Sequence, residues 1–126
     1  MNRLVHSDKA PQALGPYSQA LVAGEFVFTS GQVGIDPGTG CLAEGGVSAE
    51  TRQALLNLTH VLEAAGATLD RVVKATVFLI DMGEFKEFNA AYAQFLGDHR
   101  PARSTVQVAA LPAGARVEIE FVATRY

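Results

Sequence analysis

Val72-Val73-Lys74-Ala75-Thr76-Val77-Phe78-Leu79-Ile80 is a run of β-branched, aliphatic and aromatic residues broken by one lysine and one alanine. It predicts a strand in the middle of a sheet. Alternation puts Val73, Ala75, Val77 and Leu79 on one face and Val72, Thr76, Phe78 and Ile80 on the other, so both faces are largely apolar. On either side of this run the period changes to that of a helix. Upstream, Leu55, Leu58, Leu62 and Ala65 form one stripe, with Gln53, Asn57, His60 and Glu63 largely off it. Ser48 reads as the N-cap of that helix, Glu50 as its first-turn anion and Gly66 as its C-terminal stop. Downstream, Met82 to Leu96 is helical through Phe85, Phe88, Tyr92 and Phe95.

Further out the pattern is extended again. Tyr17 to Gln32 reads as two runs around the Ala23-Gly24-Glu25 turn, and Asp36-Pro37-Gly38-Thr39-Gly40 is a further turn. Ser104 to Ala109 and Arg116 to Thr124 read as two closing strands separated by Leu111-Pro112-Ala113-Gly114. The order βββαβαββ gives an α/β (α+β) fold, a mixed sheet with two helices on one face. Because one helical layer covers one face only, the second apolar face of Val72 to Ile80 is expected to be covered by another subunit, loops closing over it being the alternative.

Composition narrows what such a sheet can do. The 126 residues contain 48% hydrophobic and 18% charged side chains, with no repeats or low-complexity tracts, so one domain spanning residues 1–126 is expected. Ten basic and thirteen acidic residues give a formal charge of -3, which provides no field to concentrate nucleic acid or anionic lipid. The single cysteine, Cys41, allows no internal disulfide and suits a reducing compartment, the cytoplasm. No apolar run reaches the ~18 residues that span a bilayer, and the first nine residues lack a signal-peptide stretch.

Several residue patterns could carry chemistry. In the last strand Val117, Ile119, Phe121 and Ala123 share an apolar face, which leaves Glu118 and Glu120 together on the other. Roughly 6.6 Å of strand separates them, close enough for one to hold a raised pKa where water is scarce. Arg103, Thr105 and Gln107 share a face of the preceding strand, and if the two strands pair, Arg103 and a carboxylate can share a cleft; solvated edge charges are the alternative. His99-Arg100-Pro101-Ala102-Arg103 is the one local basic cluster, too short for a nucleic-acid footprint but able to hold one small anion. His6, His60 and His99 lack metal-ligand spacing, Cys41 has no evident base, and Gly38-Thr39-Gly40 precedes no immediate helical pattern, so no metal or other cofactor is expected. Ser30 lies outside any nucleophile elbow and reads as a turn hydroxyl.

Taken together, Gly15-Pro16-Tyr17-Ser18-Gln19, Thr29-Ser30-Gly31-Gln32, Phe88-Asn89-Ala90-Ala91-Tyr92, Pro101-Ala102-Arg103-Ser104, Leu111-Pro112 and Val117-Glu118-Ile119-Glu120 resemble the YjgF/Rid family, in order and over essentially the whole chain. The resemblance implies a chorismate-mutase-like subunit assembled as a homotrimer, with three clefts at the subunit boundaries. It implies an imine/enamine deaminase that hydrolyses 2-imino acids to 2-oxo acids and ammonia. Arg103 would pair with the substrate carboxylate and Glu118 would orient or activate water, while Tyr17, Ser30, Gly31, Asn89 and the backbone at Thr105 would line the cleft.

Two departures stand out. Thr105 replaces a cysteine found in many relatives after Arg-Ser, so no covalent thiol role is available. Leu96-Gly97-Asp98-His99-Arg100 is a shorter connection, with Arg100 where an aromatic residue often stands. Members of the superfamily have also been described as ribonucleases, so two other functions stay open. A non-catalytic binder of small carboxylates would need Arg103 but not Glu118. An endoribonuclease is opposed by the charge and by the missing basic stripe.

Overall fold

A computed structural model describes residues 2–126. The elements in chain order are β1 (Arg3–Val5), β2 (Ala20–Ala23), β3 (Phe26–Thr29), β4 (Gln32–Val33), β5 (Ile35–Asp36), β6 (Cys41–Leu42), α1 (Gly46–Ala64), β7 (Val72–Leu79), α2 (Phe85–Leu96), β8 (Ala102–Gln107) and β9 (Val117–Thr124). The main sheet runs β1-β2-β3-β9-β7-β8, with β4 continuing the line of β3 along β9. All its pairings are antiparallel except β7 with β8, the two strands that α2 connects. β5 and β6 form a separate two-stranded ribbon around the predicted Asp36–Gly40 turn.

The mixed sheet with both helices on one face is as expected, and the period-2 reading of the last strand explains why. Val117, Ile119, Phe121 and Ala123 are fully or almost fully buried, and they pack with Leu55, Leu58, Leu62, Phe88, Ala75 and Val77 in one core. Emptying the space of a side chain such as Phe121 would cost about 3–5 kcal/mol. The opposite face carries Glu118, Glu120, Thr76 and Phe78 at half-buried positions and leaves Leu21, Phe26, Phe28 and Val106 exposed.

The structure corrects several expectations. Three short strands, β4 to β6, lie between β3 and α1, and β1 precedes the hairpin, so the strand count before the first helix is six. Gly45 and Gly46, both at positive φ, open α1, so Ser48 is not its cap; its hydroxyl instead donates to Glu87 Oε1 at 3.0 Å. Glu50 lies beyond the first turn, buried, with Oε1 accepting the Arg116 N–H at 2.8 Å. Gly66, at φ 83°, does follow the helix end.

Asn57, off the apolar stripe, is nevertheless fully buried, and its Nδ2 donates to the Val33 and Ile35 carbonyls where β4 gives way to β5. In β7 the alternation breaks at its start: Val72 pairs with Ala123 and Lys74 with Val122, so Val73 is the extra residue of a bulge. Val72 therefore points into the core at 1% exposure and Val73 outward at 44%.

β8 and β9 are not neighbours; β7 lies between them, leaving β8 at the sheet edge. The line of β3 and β4 is also interrupted, at Ser30-Gly31. Across that break the Phe121 N–H, deprived of a strand partner, donates to Thr29 Oγ1 at 2.9 Å.

Candidate active site

Glu118 comes from the central strand β9, paired on one side to Val33 of β4 and on the other to Phe78 of β7. Its carboxyl group lies against the backbone of Gly31: a methyl group on Gly31 would fall 2.7 Å from Glu118 Cδ and 2.9 Å from Cγ. Glycine is required there by close approach, since any side chain would displace the carboxyl. Burial, and next the neighbouring Glu120 charge, push the Glu118 pKa above the usual carboxylate range. The raised pKa anticipated for one member of this pair therefore belongs to Glu118.

In front of it is a cavity of about 250 Å³ whose lining includes Gly31, Tyr17, Pro11, Gln12 and Pro112. The loop carrying Tyr17 is held by Gln19, which was not singled out from the sequence. Its side-chain amide donates to the Ser7 and Pro11 carbonyls, and its Oε1 accepts the Ser7 N–H. Tyr17 itself stays half exposed, its hydroxyl accepting the Leu14 N–H at 3.3 Å. Ser30 fastens the same loop, its hydroxyl donating to the Ser18 carbonyl at 2.6 Å. This is a bond to another loop twelve residues away, not the local turn bond expected, and Ser30 also lines a second depression shared with Tyr17, Leu21 and Phe28.

Arg103 stands elsewhere. On β8 it is in register with Ala75, a residue of the helix-side face, whereas Glu118 is in register with Phe78 on the open face. Within one chain the two residues do not share a cleft. The guanidinium carbon sits 4.9 Å from the Tyr92 ring centroid, 5.4 Å from that of Phe88 and 5.6 Å from that of Phe85. Nη2 donates to Asn89 Oδ1 at 2.8 Å. Three aromatic faces and one amide thus fix the cation without neutralising it. Thr105, two residues on along β8, keeps a buried hydroxyl with no hydrogen-bond partner. The sequence brought out Asn89, but the aromatic residues around Arg103 read only as a core stripe, because helical spacing does not tell a packing ring from one under a cation.

Other candidates do not converge. His6 meets Asp8, His60 meets Glu63 and His99 meets the Val72 carbonyl. Among the described residues no group of three or more His, Cys, Asp and Glu side chains could hold a metal ion. No helix among them is long and apolar enough to cross a membrane.

Comparison with known proteins gives one consistent result. A family model described as Endoribonuclease L-PSP matches residues 7–125. The human 2-iminobutanoate/2-iminopropanoate deaminase is 47% identical over 98% of this chain and 90% of its own length. A solved Thermotoga maritima protein superposes with a TM-score of 0.95 at 50% identity, covering 100% of this chain and 99% of that one. The YjgF gene product of E. coli does so with a TM-score of 0.94 at 40% identity, covering 98% and 99%.

Proposed function

The chain belongs to the YjgF/Rid family, which also carries the description Endoribonuclease L-PSP, and from that membership we propose that it is an imine/enamine deaminase. It hydrolyses small 2-imino acids such as 2-iminopropanoate and 2-iminobutanoate to 2-oxo acids and ammonia. The observation that carries this reading is the Glu118 carboxyl, kept above its ordinary pKa, seated on Gly31 and facing a cavity. A carboxyl group that holds its proton more tightly than usual suits a reaction that must take a proton from water and give one to nitrogen.

Arg103 anchors the substrate carboxylate, since its guanidinium keeps its charge and presents a planar fork. The water oxygen bonds to the imine carbon while Glu118 accepts a water proton. That proton passes to nitrogen to give a carbinolamine; Glu118 then carries the remaining water proton from the new hydroxyl to the amino group, the C–N bond breaks with its electron pair on nitrogen, and the carbonyl forms as ammonia leaves. One water is consumed and no electron is transferred. Tyr17, Ser30, Gly31, Asn89 and the backbone at Thr105 flank the small planar substrate.

The working form is a homotrimer with three clefts, each formed by the Arg103 half of one protomer and the Glu118 half of its neighbour. Two features support this: the halves lie on opposite faces of one chain's sheet, and the open face exposes Leu21, Phe26, Phe28 and Val106. The protein works in the cytoplasm, where the exposed Cys41 stays reduced. A formal charge of -3 disfavours a polyanionic partner.

Generating 2-iminobutanoate in place with an amino-acid oxidase should give ammonia release well above the uncatalysed rate. No acceleration, with 2-oxobutanoate still bound, would make this a carboxylate-binding protein instead. Light scattering should give the mass of three chains, and an active monomer would overturn the shared cleft.

A further inference from the structure

Beside Arg103 lies a second cation that the proposed reaction does not use. Arg100 and Arg103 line one cavity of about 480 Å³ together with Asn89, Tyr92, Ala93 and Pro101, and none of these six residues is acidic. No ion pair forms at either arginine among the described residues. Arg100 donates to the Gly97 and His99 carbonyls, both times through Nη1. Its Nε and Nη2 therefore remain available, since a guanidinium carries five N–H donors.

The third feature is Tyr92. It is 5% exposed, yet its buried hydroxyl has no hydrogen-bond partner. A buried polar group left unpaired is costly, so a ligand that accepts from it would recover that cost. Burial raises the Tyr92 pKa, against the opposing pull of the Arg103 and Arg100 charges, so the phenol stays protonated and can donate. Three kinds of donor thus belong to residues that line one cavity, and this chain contributes no carboxylate to it.

We infer that Arg100 and the Tyr92 hydroxyl form an anion subsite next to Arg103, which receives the second carboxylate of a dicarboxylic 2-imino acid. This rests on Arg103 being the anchor of the first carboxylate, as proposed above. A neutral aliphatic substrate would leave the Tyr92 hydroxyl and the Arg100 donors unanswered. A side-chain carboxylate one or two methylenes long would engage both. Arg100 is then a specificity residue, acting through substrate binding and not through proton transfer.

The test is calorimetric titration of the assembled protein with 2-oxoglutarate and 2-oxobutanoate, together with turnover of the imino acids derived from glutamate and 2-aminobutyrate. A charge-assisted hydrogen bond should favour the dicarboxylate by ~10–100-fold in both affinity and kcat/KM. In Arg100→Gln this ratio should fall at least about tenfold, in Arg100→Lys by less, and Tyr92→Phe should lower it too. If Arg100→Gln fails to assemble, Arg100→Lys and the wild-type ratio still decide. Equal affinity for the two oxo acids in the wild type, or a ratio unmoved by Arg100 substitution, overturns the subsite while leaving the deaminase reading intact. Failure of both oxo acids to bind and of both imino acids to turn over overturns that reading and the subsite with it.

Discussion

Glu118 and Arg103 are held in opposite ways. Glu118 stands on a central strand paired on both sides, its carboxyl pressed onto a glycine backbone and raised in pKa by burial and by Glu120. Arg103 stands on an edge strand, where backbone pairing on one side alone would leave it loosely placed. Its position is supplied by rings from α2 and by Asn89. The proton exchange proposed for Glu118 needs a set environment, and the sheet provides that. An anchor needs a set direction with its charge intact, and aromatic faces provide that without an ion-pair partner.

The two halves can be put on different chains. Glu118→Gln alone should lose about 10²–10⁴-fold of turnover, the usual worth of a positioned acid/base, while still binding 2-oxobutanoate. Arg103→Ala should lose binding as well. Co-refolding equal amounts of the two should restore roughly a quarter of wild-type activity, because one boundary in four then joins two intact halves. Mixtures no more active than their components would show that the halves do not meet across a boundary. If Glu120→Gln, and not Glu118→Gln, separates binding from turnover, the carboxylates have exchanged roles.

Arg103→Lys probes direction rather than charge. A point ammonium keeps the cation but not the fork, so kcat/KM should drop by a factor equivalent to more than about 2 kcal/mol with assembly intact. Steady-state kinetics on the purified, assembled protein would show it. On the other half, Gly31→Ala should displace the Glu118 carboxyl and lower kcat by about tenfold, with little change in thermal midpoint. An unchanged kcat would mean that the carboxyl tolerates the shift.

The smallest effect is on stability against pH. The folded Glu118 pKa lies above its unfolded value, so the folded state holds its proton more tightly. The contribution is fully present below the ordinary glutamate pKa and is lost as pH rises through the raised value. Denaturant titrations over that window should show stability falling with pH in the wild type, and a weaker slope in Glu118→Gln.

The parts of this arrangement that the sequence displayed are those with one buried face. Val117 to Thr124 alternates because one side meets the helices, so Glu118 and Glu120 were identifiable as partners on the other. What strands do to one another was not displayed. Nothing in the residues of β8 and β9 says that β7 lies between them, so a shared cleft within one chain read as possible. A single extra residue at Val73 reverses which side chain faces the core, and alternation cannot register an insertion. Asn57 lies off the apolar stripe and is buried all the same; its two carbonyl acceptors come from β4 and β5, short strands without a pattern long enough to read. Ser48 has the chemistry of a cap, but two glycines at positive φ start the helix earlier.

Thr29 carries a consequence for which substitutions this chain can accept. Its hydroxyl is the acceptor for the Phe121 amide at the place where the strand line breaks. Valine has nearly the same shape and favours strands at least as strongly, so a survey judged by volume and propensity would welcome it. The fold should refuse it, at about 1–3 kcal/mol for a stranded amide, and accept the smaller serine. Tolerance at position 29 would then follow the ability to accept a hydrogen bond, and size would be irrelevant to it.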